Sequence, residues 1–337
     1  MRNNPEKLWG ASGMPKDARI YVPGHGGLAG SAIMRRLQAE GYTNIVVRRH
    51  DELDLTRSAE TEAFFEKERP EYVIVCAAKV GGILANAAYP AEFIYENLTI
   101  SANVIHNAWR VGVKRLIYLG SSCIYPRECP QPMKEEHLLS GPLEPTNRPY
   151  ALAKIAGIEM CWSYNRQYGA QFLAVMPTNM FGPGDNYDLR TSHVLPALIR
   201  KMHEAKAGSK PAVALWGTGR ARREFLYSDD LASAVVFLLN LSDEPYRELA
   251  SSETRPPLIN IGFGKDMTIR ELAEMVREVV GYQGAIEWDA SKPDGMPQKL
   301  MDSRLINSLG WAPRISLREG IRKAYGHFLE EMRTAQG

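Results

Sequence analysis

The feature that most constrains this chain is an alternation. Short apolar runs are separated by amphipathic stretches, and the first run empties into a glycine-rich loop. Arg19-Ile20-Tyr21-Val22 reads as strand one, and Ser31 to Glu40 as a helix with Ile33, Met34 and Leu37 on one face. Asn44 to Val47 is the next strand, followed by a polar helix from Arg57 to Glu68 and a third strand over Tyr72 to Cys76. A long helix near Pro90 to Trp109 leads to a fourth strand at Leu116 to Leu119. Strands that are apolar throughout and joined by helices need cover on both faces. The pattern therefore predicts an α/β fold, a doubly wound parallel sheet of Rossmann type.

Beyond Met180 the texture changes: Gly and Pro become frequent, as in Gly182-Pro183-Gly184 and Gly217-Thr218-Gly219. Ser192 to Ala205 and Ile269 to Val280 fit helices, and Leu258 to Gly262 and Ala285 to Trp288 fit short strands. The expected organisation is a mobile extension over 1–18 and a dinucleotide-binding domain over 19–180. Segments at about 225–262 return to that domain, and 181–337 is mainly a smaller substrate-binding lobe.

The bulk properties exclude several function classes. Of 337 residues, 45% are hydrophobic and 24% charged, with a net charge of +2. So small an excess argues against a nucleic-acid binder. No run approaches the ~18 apolar residues of a membrane span, so no membrane partner is expected. The N-terminal stretch lacks the apolar core of a secretory signal. Cys76, Cys123, Cys129 and Cys161 show neither zinc spacing nor the density of a disulfide framework. No metal is expected, and the thiols read as reduced in a cytoplasm.

Gly24-His25-Gly26-Gly27-Leu28-Ala29-Gly30 lies between the first strand and its helix. Glycines there allow a tight turn and let the backbone approach a pyrophosphate, while the helix N-terminus offers N–H groups. A lone glycine pattern only builds a turn, but this context points to dinucleotide binding. Strand two ends in Arg48-Arg49, where NAD enzymes often carry a carboxylate. Two guanidinium groups favour a 2′-phosphate, hence NADP; a solvated loop is the plainer account of the pair.

Tyr150 and Lys154 stand one helical turn apart. A nearby ammonium lowers a phenol's pKa, making tyrosine a usable acid or base. Ser121, at the end of strand four, could hydrogen-bond the same substrate oxygen. The thiol of Cys123 lies two residues on, and in extended backbone residues i and i+2 share a face. Cysteine is also common as small buried filler.

With these features in place the chain resembles the extended short-chain dehydrogenase/reductases that act on nucleotide sugars. In particular it resembles those that epimerise and then reduce GDP-4-keto-6-deoxy-D-mannose. The similarity is carried by AAKVGGI (Ala77–Ile83), GSSCIYP (Gly120–Pro126), LEPTN with YALAKIAGI (Leu143–Ile158) and SYNRQYG (Ser163–Gly169). MPTNMFGP (Met176–Pro183), SHVLPALI (Ser192–Ile199), WGTG with RREFLYSDDLA (Trp216–Ala232) and SKPDG (Ser291–Gly295) extend it.

The resemblance implies Ser121, Tyr150 and Lys154 as the catalytic set, with Cys123 and His193 as the acid/base pair of epimerisation. It implies cofactor contacts from Gly24, Gly27, Leu28, Gly30, Leu119, Ser122, Lys154, Pro177, Asn179 and Met180, with Arg48 or Arg49 for the phosphate. Lys201, Trp216, Arg223 and Asp294 fall at GDP-sugar positions, and a homodimer joined by a helical bundle is implied. One departure concerns the loop: the family commonly carries G-H-R-G, and here Gly26 replaces the arginine.

The chemistry is consistent with those residue types. C3 and C5 flank the C4 carbonyl, so their protons become removable when an enolate can form. Inversion needs an acid and a base on opposite faces, and a thiol (~8.5) and an imidazole (~6.5) bracket neutral pH. The readings kept beside this one are another nucleotide-sugar epimerase or dehydratase, and a catalytically silent dinucleotide-binding protein. The plainer readings are that His193 starts an apolar helix and that Arg222-Arg223-Glu224 is a solvated cluster.

Overall fold

A computed structural model describes residues 13–292 and 294–334. Six parallel strands form the main sheet: β1 (Ile20–Tyr21), β2 (Ile45–Val46), β3 (Tyr72–Val75), β4 (Arg115–Leu119), β5 (Phe172–Pro177) and β9 (Leu258–Ile261). Their order is β2-β1-β3-β4-β5-β9. The doubly wound parallel sheet expected from the apolar runs is the observed one. Strand order reverses between β1 and β3, so a crevice opens beyond their carboxyl ends, where ligands of such sheets bind.

Both faces are covered. On one, α1 (Leu28–Ala39) packs beside α7 (Ser228–Leu239), burying Ile33, Leu37, Leu231, Val235 and Leu238 against Ile20, Ile74 and Ile117. The other face carries α2 (Ser58–Glu68), α4 (Pro90–Arg110) and α5 (Arg148–Tyr168), with Phe65, Val104, Ile105 and Ile158 over Val73, Leu116 and Phe172. Short α3 (Ile83–Ala88) precedes α4, and α8 (Asp243–Ala250) follows α7.

A second core belongs to α6 (Val194–Ala207), α9 (Ile269–Val280) and α11 (Leu317–Thr334), packed on β7 (Ala212–Trp216) and β8 (Arg222–Tyr227). Strand β7 pairs with β11 (Ala285–Asp289). Strand β8 is central to a small sheet with β6 (Asn179–Phe181), β10 (Asp266–Thr268) and β12 (Gln298–Lys299). The short α10 (Arg304–Ser308) packs near β9. Helix α9 starts at a capping box, Thr268 with Glu271, and stops at Gly281 (φ 75°), which adopts the left-handed cap conformation open to glycine.

Two expectations are corrected. Residues 1–12 of the expected extension lie outside the described residues, but 13–18 are packed rather than mobile. Met14 and Ala18 are buried beside α7, the Met14 N–H donates to Asn240 Oδ1 (3.1 Å), and the Lys16 carbonyl accepts from Thr43 N–H (3.0 Å). Two apolar side chains in a polar stretch are enough to anchor it. The second correction is at Ser122–Ile124, which is a 3₁₀ turn and not extended backbone.

Candidate active site

The glycine loop closes tightly over the sheet. Gly24 has φ 81°, and a Cβ there would lie 2.5 Å from the Ala77 nitrogen at the end of β3. A Cβ on Gly30 would lie 2.1 Å from the Gly24 carbonyl oxygen. Helix α1 begins after Gly27 with no side chain capping its free N–H groups, and His25 Nδ1 is buried without a hydrogen-bond partner. Bare backbone, an uncapped helix start and an unpartnered ring nitrogen suit the diphosphate of a dinucleotide. Leu28 opens the helix.

The paired arginines are occupied. Arg48 donates to the Val47 carbonyl (2.7 Å) and to Glu68 (2.6 Å), and its guanidinium lies 5.4 Å from the Phe64 ring centroid. Exposed Arg49 forks onto Asp51, both bonds 3.1 Å. Surface pairs of that kind hold weakly, so Arg49 is the freer of the two.

Strand β4 ends at Leu119, and Ser121 caps the following 3₁₀ turn, its Oγ accepting the Cys123 N–H (3.4 Å). Capping, not strand alternation, therefore brings the hydroxyl and the thiol together. Ser122 and Cys123 are buried. Burial pushes the Cys123 thiol up, while the Ser121 hydroxyl, Lys299 and Lys154 pull it down.

Helix α5 delivers Tyr150 and Lys154 to the same place. Lys154 donates to the Leu119 carbonyl (2.8 Å) and lies 5.8 Å from the Tyr150 ring centroid. Burial drops its ammonium to about 8. Tyr150 moves opposite to the direction expected from the Tyr–Lys spacing. Burial, with Cys123 and Tyr118 beside it, drives the phenol well above its ordinary value. Desolvation outweighs the ammonium, whose proton is engaged by a carbonyl.

His193 precedes α6 and caps it with no side-chain bond. Its ring reaches solvent, yet the surrounding protein and the Lys299 ammonium lower its pKa. Pro177 ends β5, Met180 pairs with Leu226, and Asn179 Nδ2 donates to the Glu224 carbonyl (2.8 Å). In the next loop one Asp185 oxygen accepts from Asn186 N–H (2.8 Å). The other is buried without a partner, and burial raises the carboxyl to about 7.

The four expected sugar-nucleotide residues gather in the second lobe. Lys201 donates to the Ala214 carbonyl (3.3 Å) and stands 5.9 Å from the ring of Trp216, which is 57% exposed. Asp294 accepts from the Thr218 N–H and hydroxyl, both 2.6 Å. Arg223, on β8, is lowered by burial and raised by Asp294. An exposed indole ringed by cations suits a base and its phosphates.

Two residues here were missed from sequence. Lys299, on β12 beside Arg223, touches the ionisation of both Cys123 and His193. Asn147, just before Tyr150, buries an unpartnered Oδ1. The position of Asn147 within LEPTN was a usable signal; Lys299 had none. The four cysteines are free thiols, and no group of three or more metal-ligating side chains occurs among the described residues.

Fold and site together define a Rossmann-type short-chain oxidoreductase with a second, smaller lobe. The chain belongs to the NAD dependent epimerase/dehydratase family, whose model matches residues 20–251. It is 54% identical over 317 residues to GDP-L-fucose synthase 1 of Arabidopsis thaliana, covering 94% of this chain and 95% of that protein. Against GDP-L-fucose synthase of Escherichia coli (strain K12) it is 50% identical over 321 residues, covering 95% and 99%. A GDP-L-fucose synthetase from Naegleria fowleri bound to NADP superposes with a TM-score of 0.85 at 26% identity, covering 96% and 98%.

Proposed function

We propose that this protein converts GDP-4-keto-6-deoxy-D-mannose to GDP-L-fucose by 3,5-epimerisation followed by NADPH-dependent reduction of the 4-ketone. The observation that carries the reading is the convergence of the Ser121–Cys123 turn with Tyr150 and Lys154, Cys123 being coupled to both. Identity of 50–54% to GDP-L-fucose synthases across nearly the whole chain supports the substrate.

Each residue has a chemical task. Cys123, as thiolate, takes a proton from C3 or C5; the C–H electrons pass into the enolate, with negative charge on O4. Hydrogen bonds from Ser121 and Tyr150 stabilise that oxygen. His193 returns a proton from the opposite face. When bound, NADPH supplies the hydride for C4. Tyr150, kept protonated by its raised pKa, donates its proton to O4, and the Lys154 ammonium stabilises the tyrosinate left behind.

Gly24, Gly27, Leu28, Gly30, Leu119, Ser122, Pro177, Asn179 and Met180 hold the cofactor, with Arg49 turning from Asp51 and Arg48 behind it toward the 2′-phosphate. Lys201, Trp216, Arg223 and Asp294 hold the GDP-sugar. The division of labour is 19–180, with segments at about 225–262, for NADP and mainly 181–337 for substrate. The protein works in the cytoplasm as a homodimer through α4 and α5, where Tyr95, Leu98, Leu152 and Tyr168 are exposed.

Supplying GDP-4-keto-6-deoxymannose with NADPH tests this. The expected result is GDP-L-fucose formed with stoichiometric NADPH oxidation. Absence of turnover at high enzyme concentration would sink the proposal.

A further inference from the structure

Three side-chain atoms, Asn86 Oδ1, Asn147 Oδ1 and Ser192 Oγ, are buried with no hydrogen-bond partner among the described residues. They come from separate segments, and those segments meet at the start of α3. Asn86 is only 6% exposed, and its amide nitrogen donates to the Gly81 and Gly82 carbonyls (2.8 and 3.1 Å). Its oxygen is left over. Gly81 lies against Phe93, where a Cβ would stand 3.2 Å from the ring, and that ring meets Tyr150 edge-on at 6.3 Å between centroids. Gly82 N–H donates to the Thr191 carbonyl (3.1 Å), and a Cβ on Gly82 would lie 3.2 Å from the Ser192 carbonyl oxygen. Helix α3 also packs against the 3₁₀ turn Pro145–Asn147. Contacts therefore tie the start of α3 to Tyr150 on one side and to the residue before His193 on the other.

Asn147 makes the pattern specific. It is the N-cap of α5, where an asparagine oxygen ordinarily accepts the N–H of the second or third helical residue. The second is Pro149, which has no N–H, and the third is Tyr150. That bond is not made, so the oxygen beside the first turn of the Tyr150 helix caps nothing. Buried acceptors of this kind are unfavourable unless a donor reaches them.

A hexose supplies such donors. With a ketone at C4 and a methyl at C6, the sugar of the proposed substrate keeps two hydroxyls, at C2 and C3. A carboxamide oxygen only accepts, which matches a hydroxyl proton, and a serine hydroxyl accepts or donates. We propose that Asn86, Asn147 and Ser192 form a hydroxyl-recognition subsite that holds the C2 and C3 hydroxyls of the hexose between Tyr150 and His193. The inference rests on the epimerase/reductase reading and deepens it. A ring fixed by these hydroxyls keeps O4 at the phenol while protons are exchanged at the flanking carbons. The rival donor is the carboxamide N–H of NADPH, and cofactor binding separates the two.

Asn147 and Ser192 are the residues to change, because their side chains hold nothing in the free protein. Asn147→Ala and Ser192→Ala should melt as wild type. Calorimetry on the full-length protein without cofactor compares GDP-4-keto-6-deoxymannose with its 2-deoxy and 3-deoxy analogues. Each variant should bind the parent sugar about threefold to tenfold more weakly, the size of one neutral hydrogen bond. The analogue lacking the matched hydroxyl should bind variant and wild type alike, and kcat/KM with NADPH should follow the same ratios. Equal weakening of all three ligands, or of none, overturns the subsite, as does lowered melting in both variants. Weaker NADPH binding with the sugar preference intact gives the groups to the cofactor and overturns it too. Wild type that shows the hydroxyl preference in binding but never oxidises NADPH would sink the reaction and leave the subsite standing.

Discussion

Gly30→Ala separates a glycine that the chain itself requires from one that only a ligand would require. The new methyl would sit 2.1 Å from the Gly24 carbonyl oxygen and 2.7 Å from His25 Cα, both backbone atoms. Normal contact is more than 1 Å longer, so the turn between β1 and α1 must open. Overpacking against backbone costs about 1–3 kcal/mol. If that cost falls on the loop conformation that receives the cofactor, NADPH affinity drops about tenfold to a hundredfold. Fluorescence titration gives the affinity, and thermal unfolding of the free protein gives the stability loss. Gly27→Ala is the contrast. Its Cβ meets only the Gly24 oxygen at an ordinary 3.6 Å, so the free protein should melt as wild type, and weakened NADPH binding would come from the ligand side alone. Gly26→Ala meets nothing within 4 Å and should leave melting unchanged. Wild-type melting and binding in Gly30→Ala would refute the reasoning.

Two further outcomes are expected. Cys123→Ser should lose solvent-deuterium incorporation at C3 and C5 by two orders of magnitude or more while cofactor affinity is kept; normal exchange would return Cys123 to core filler. Asp185→Asn should change how stability depends on pH. The buried carboxyl is raised from 3.8 to about 7, so the folded state holds a proton the unfolded chain has released, and wild-type stability falls as pH rises through that window. The shift corresponds to at most ~4 kcal/mol, and partial solvent contact reduces it to about 1–2 kcal/mol. Chemical denaturation at pH 4 and pH 8 should therefore show the asparagine variant gaining on wild type only at the higher pH; an equal difference at both would contradict the assignment.

How much of this was legible in the sequence depended on whether the signal was local. Strands β3 and β4 are apolar at every position after Arg115, the first residue of β4, because both faces are covered, and that pattern survives in one dimension. Helix α7 was not picked out: Leu231, Ala232 and Val235 to Leu239 are all buried, so it has no polar face and no helical period to detect. The tie between Ser121 and Cys123 was anticipated for the wrong geometric reason. Spacing of two fits an extended strand, but the chain turns immediately, and the serine holds its neighbour as a cap. Lys299 sits in a two-residue strand whose placement depends on pairing with β8, so no window around it carries a pattern. The direction of the Tyr150 shift was equally hidden, since burial is a property of the assembled layers.

The proposed mechanism separates two proton transfers by their supports. Tyr150 and Lys154 ride on one long helix, clamped by the Lys154 bond to Leu119 at the end of β4. Cys123 rides on a short turn held by Ser121 and, two residues on, by the buried bond from Tyr125 to Asn260 Oδ1 (2.6 Å). Asn260 in turn donates to the Met133 carbonyl and to Glu135, so the turn is braced from β9 and the loop beside β12. His193 and Lys299 arrive from the second lobe. Under the proposed mechanism the reduction set is thus assembled within the main sheet and its helix, whereas the epimerisation set would span both lobes. A disturbance of how the lobes meet should strike proton exchange at carbon before it strikes hydride acceptance at C4, because only the former needs groups from both sides held to one sugar ring. Under the proposed mechanism a cleft built in this way would let one ketone be worked on twice without moving the substrate, with Ser121 and Tyr150 addressing the same oxygen in each step.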